Sequence, residues 1–86
     1  MPRISEFFGI SIYVYYAEHF PPHFHAIYGG DEVLVSITDL SVIRGRFPAR
    51  ALGLVIEWAT IHQGELIGVW TQAMANEPLS RIKPLR

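Results

Sequence analysis

Cysteine is absent from the 86-residue chain, which excludes disulfides, thiolate metal sites and cysteine nucleophiles in one step. No stretch approaches the roughly 18 uninterrupted apolar residues of a membrane-spanning helix. The opening Met1-Pro2-Arg3-Ile4-Ser5-Glu6 also lacks the basic-then-apolar layout of a secretion signal, so a cytoplasmic location without membrane contact is the expectation. Net charge is nearly missing too, and −1 argues against wholesale electrostatic attraction to nucleic acid. Gly29-Gly30 precedes no helix, so it reads as a turn and not as a phosphate cradle. Ser5, Ser11, Ser36 and Ser41 stand in no nucleophile-elbow context, leaving a serine hydrolase unsupported. No cofactor is expected.

What the chain does have is histidine. His19, His23 and His25 fall within seven residues around Pro21-Pro22. If residues 23 to 28 are extended, His23 and His25 share one side of a sheet, because side chains alternate faces with period two. The charge is lopsided as well. Residues 1–43 carry one base and five acids, a balance of −4, whereas residues 44–86 carry six bases and three acids, a balance of +3. Arg44, Arg46 and Arg50 form one basic group and Arg81, Lys83 and Arg86 another, an asymmetry that suits an acidic partner or a phosphate chain.

The order of elements predicts an α+β domain: a three- or four-stranded antiparallel meander followed by two C-terminal helices packed on one face. Ile10 to Tyr16 alternates as a strand, with Ile10, Ile12 and Val14 on one side and Ser11, Tyr13 and Tyr15 on the other. Residues 23–28 and 31–37 form a hairpin around Gly29-Gly30, where glycine supplies the positive φ of a tight turn. Setting Tyr28 opposite Asp31 pairs Ala26 with Val33, Phe24 with Val35, His25 with Leu34 and His23 with Ser36. Phe24, Ala26, Val33 and Val35 then make the apolar face, and a one-residue slip would bury the histidines instead. A short strand, Val42 to Gly45, follows.

Pro48 marks a helix start, and Ala49 to His62 carries apolar residues around most of its circumference. In so small a domain this points to a homo- or hetero-oligomer interface involving Leu54, Trp58 or Ile61. A second helix is expected over Glu65 to Asn76, after punctuation at Gln63-Gly64. The domain is expected to span residues 1–78, with 79–86 as a basic C-terminal tail.

Pro2-Arg3-Ile4-Ser5, Phe8-Gly9-Ile10, Pro21-Pro22-His23-Phe24-His25-Ala26, Gly45-Arg46-Phe47-Pro48 and Glu57-Trp58-Ala59 together resemble domain-of-unknown-function family 4160, over nearly the whole chain. The resemblance implies a small bacterial protein encoded beside a second one, in a toxin-antitoxin type of arrangement, and supplies no catalytic residue.

Three functions are then open. The leading one is a toxin-antitoxin type protein that binds a cognate partner from an adjacent gene, with Arg44, Arg46, Arg50, Glu57 and Trp58 as contacts for a partner or for nucleic acid. The second is a ribonuclease toxin using His23 and His25 as acid and base, an arginine on the phosphate and Tyr13 and Tyr15 to stack bases. The third is a nucleic-acid-binding regulator. A metal is not expected; its candidate ligands would be His19, His23 and His25, with Glu32 offering an oxygen.

Overall fold

The computed structural model describes residues 2–86. Strands β1 (Arg3–Phe7), β2 (Ile10–Tyr13), β3 (His23–Tyr28), β4 (Asp31–Ser36) and β5 (Val42–Gly45) precede helices α1 (Ala49–Ile61) and α2 (Gln63–Met74). The strands form one antiparallel sheet in the order β1-β2-β3-β4-β5, so every chain neighbour is also a sheet neighbour.

The sheet has five strands, not three or four. The additional one is β1, and its sequence hides it: the register shifts between Arg3 and Ser5, so consecutive Ile4 and Ser5 are both buried. A bulge of this kind breaks the two-residue alternation by which a strand is read. β2 is shorter than Ile10 to Tyr16, ending at Tyr13, although Val14 stays buried and its N–H donates to the Pro2 carbonyl. The hairpin has the expected register throughout, from Tyr28 opposite Asp31 to His23 opposite Ser36.

Burial follows from that register. Phe24, Ala26, Val33 and Val35 join Ile10, Ile12 and Val14 in the core with Val55, Trp58 and Ala59 of α1 and Leu66, Val69 and Trp70 of α2. Trp58 sits among Phe7, Phe24 and His62, with ring centroids 5.4, 5.8 and 5.7 Å away. Its fully buried indole belongs to this chain's own core, which corrects the expectation of a partner contact there. Of the other α1 candidates, Leu54 is half-buried and Ile61 is 62% exposed.

The helix boundaries differ where side chains act as anchors. α2 begins at Gln63, not after Gly64, because the Gln63 amide donates to the carbonyls of Ile37 and Thr38 at 2.7 and 3.0 Å. Only His62 separates the two helices.

Residues 79–86, expected as a tail outside the domain, pack against it. The Ile82 N–H donates to the β1 carbonyl of Ile4 at 2.9 Å, and the Trp58 indole N–H donates to Lys83 O at 2.8 Å. Ile82 is buried. Its apolar side chain, alternating with Arg81 and Lys83, gives the tail an inward side that a count of its charges conceals.

Candidate histidine and glutamate site

The period-two geometry of β3 places His23 and His25 on the face opposite Phe24, and pairing with β4 brings Glu32, Leu34 and Ser36 alongside. The chain leaving β2 turns at Tyr16-Ala17, with Ala17 in the left-handed region at φ +59°. This turn returns Glu18 to the two histidines. One nitrogen from each imidazole and one Glu18 oxygen lie within 4.8 Å of one another.

The imidazoles are held from behind. His23 Nδ1 lies 2.8 Å from Pro21 O, and because a carbonyl only accepts, the proton is on Nδ1. His23 Nε2 then faces Glu18 Oε1 at 3.4 Å. His25 Nδ1 donates to Glu32 Oε2 at 2.9 Å, while its Nε2 lies 2.6 Å from Glu18 Oε1. Two carboxylates therefore meet two rings. Each nitrogen of His25 thus faces a carboxylate oxygen, Nδ1 that of Glu32 and Nε2 that of Glu18. Burial pushes the Glu18 carboxyl up, but the hydrogen bond and charge of His25, with smaller contributions from His23, outweigh it and hold the group below its ordinary range.

Aromatic rings wall the site. His23 packs on Trp70 at 5.3 Å, and Tyr15 meets His25 edge-on at 4.5 Å while stacking parallel to Tyr13 at 5.8 Å. Burial, then the charge of Glu32, Tyr13 and Glu18, pushes the Tyr15 hydroxyl up. A cleft of about 420 Å³ opens beside the cluster, lined also by His19, Leu34, Ile43 and Arg44.

Of the residues singled out in the sequence, His23 and His25 come together and Arg44 shares their cleft. His19 lines the cleft but stands outside the convergent group. Arg46, Arg50 and Glu57 are exposed, and Arg50 lines a different cleft with Phe8, Tyr28 and Leu54. Glu32, expected as an oxygen donor beside the imidazoles, lies behind His25. Glu18 takes the position expected of His19. The missing signal was the left-handed turn at an alanine, which carries no sequence mark.

Comparison with known proteins adds a family. No curated protein and no solved structure matches the chain. The family described as Domain of unknown function (DUF4160) matches residues 9–71, a span that contains Glu18, His23, His25, Glu32 and Arg44. The chain belongs to the DUF4160 family.

Proposed function

We propose that Glu18, His23 and His25 bind a single divalent transition-metal ion and that this centre is the working site of the protein. One observation carries the reading: both Nδ1 atoms are tied to oxygen acceptors, leaving two Nε2 atoms and a carboxylate oxygen convergent. Metal-ligating histidines are characteristically held in this way, with the second ring nitrogen donating to a carbonyl or carboxylate. Two imidazoles and one carboxylate suit zinc or ferrous iron. Three protein ligands leave room for water and substrate, as in catalytic rather than closed structural sites, and the chemistry such an ion supplies is Lewis-acid activation.

The same geometry disfavours the ribonuclease reading. In-line displacement puts the attacking and leaving oxygens on opposite sides of the phosphorus, and the base and the acid must each reach one of them at about 3 Å. Both reaches together exceed the 4.8 Å within which the donor atoms here lie.

Titration of the chelator-treated chain with Zn²⁺ tests the proposal. One ion per chain is expected. His23→Ala, His25→Ala and Glu18→Gln should each weaken binding by about 100-fold or more, Glu32→Gln by about 10- to 100-fold as an outer partner, and His19→Ala hardly at all. Folded variants with unchanged affinity, or a His19→Ala loss matching that of His23→Ala, would refute it.

Partner binding is a second reading, favoured by the other cleft. This site of about 560 Å³ is lined by Phe8, Ile10, Tyr28, Pro48, Arg50, Ala51 and Leu54, of which Phe8 is 59% exposed at φ +50°. An apolar recess with one cation at its rim has the makeup of a protein contact. Co-expression with the product of the adjacent gene is expected to give a complex that Leu54→Asp disrupts while zinc affinity is kept. A stable monomer in light scattering, with no complex, is the contrary result.

A further inference from the structure

Across the sheet, four strands set one row of side chains in register. Tyr13 of β2 pairs with His25 of β3, His25 with Leu34 of β4, and Leu34 with Arg44 of β5. Paired residues point to the same face, and neighbouring strands lie about 4.8 Å apart. An aromatic side chain, one of the proposed metal ligands, an apolar floor and a guanidinium therefore follow one another over three strand spacings, about 14 Å.

Each end of the row has a recognisable use. Arg44 lines the histidine cleft and forms no ion pair among the described residues, although Glu18 and Glu32 line the same cleft. It is the one cationic side chain of that lining apart from the histidines. A guanidinium left without a carboxylate, in the lining of the cleft that holds the histidines, matches the fork geometry of a phosphate. At the other end, Tyr13 and Tyr15 lie parallel and half-exposed, with ring planes 2° apart. The rings stack on each other, so the pair can extend its stack by one base on an outer ring face.

We infer that the ligand of this site is a nucleotide, its phosphate held between Arg44 and the Glu18–His23–His25 centre and its base added to the Tyr13–Tyr15 stack. The inference rests on the proposed metal centre for the inner side of the phosphate, while Arg44 and the tyrosines support it independently. The weak net charge of the chain fits recognition of one phosphate group better than a long tract of backbone.

Calorimetry on the zinc-loaded full chain with adenosine monophosphate, adenosine and inorganic phosphate separates the contributions. The monophosphate is expected to bind tightest. Arg44→Gln should weaken the monophosphate and inorganic phosphate by about tenfold or more, the scale of a lost charge-assisted contact, and leave adenosine and zinc affinity unchanged. Tyr15→Leu, with its fold checked by circular dichroism, should weaken the monophosphate and adenosine by about tenfold, the scale of one base–aromatic stack, and leave inorganic phosphate unchanged. Monophosphate affinity indifferent to Arg44→Gln, or inorganic phosphate binding as tightly as the monophosphate, overturns the inference. If zinc fails to bind yet the monophosphate still binds through Arg44, the metal reading falls and the nucleotide assignment stands. Zinc binding without any monophosphate binding overturns the nucleotide assignment and leaves the metal centre in place.

Discussion

Trp58→Ala is expected to bring the chain to the edge of unfolding at room temperature. The indole is fully buried and touches the aromatic rings of β1, β3 and the α1–α2 junction. Truncating a buried tryptophan to alanine costs about 3 to 5 kcal/mol, against a total of about 5 kcal/mol at the lower end for a domain of this size. The loss has a second part, because the carbonyl of Lys83 gives up the indole N–H that anchors the C-terminal segment. Trp58→Phe keeps a ring in the core but gives up that bond and some volume, so its loss should be about 1 to 2 kcal/mol. Urea melts followed by circular dichroism measure both. Equal losses for the two variants would show that the ring contacts are not what holds α1 to the sheet.

Gly45→Ala is the second severe change, and its cause is backbone rather than side chain. Gly45 has φ +100°, and a Cβ built there would lie 2.2 Å from the carbonyl oxygen of Glu32 and 3.0 Å from the Val33 Cα. No flexible side chain can move aside, so β5 must move away from β4. Holding alanine in such a conformation costs about 1 to 3 kcal/mol, and the clash adds the lost ladder pairing of β5. Gly30→Ala, with nothing within 4 Å of its Cβ position and no positive φ, should cost under about 1 kcal/mol. The contrast appears in paired urea melts, and β5 amides should lose hydrogen-exchange protection in Gly45→Ala alone. Matching melts for the two glycine variants would refute it.

The hairpin was legible because two features agreed. Gly29-Gly30 sets the turn, and alternation on both strands admits only one register that buries Phe24 and Val35. The shared face of His23 and His25 came with it. Other parts were hidden for physical reasons. β1 is bulged, which erases alternation over Arg3 to Ser5. The start of α2 depends on the Gln63 amide reaching carbonyls 25 and 26 residues away in sequence, and no local pattern records such a contact. Trp58 looked available because α1 is apolar on most sides, but periodicity gives the width of an apolar surface without saying which part of it faces the chain's own sheet. Glu18 entered the site through one left-handed alanine.

The C-terminal segment also decides how this sheet can grow. A sheet exposes backbone donors and acceptors at both outer strands, and two open edges allow copies to add end to end without limit. Here Ile82 bonds to β1, closing part of that side, whereas all four residues of β5 are exposed. The two edges are thereby unequal: β5 keeps its full outer edge, whereas β1 has part of its edge occupied by the chain's own C-terminal segment. Removing the last eight residues would free the Ile4 carbonyl and leave both outer strands open, the arrangement that allows copies to add end to end.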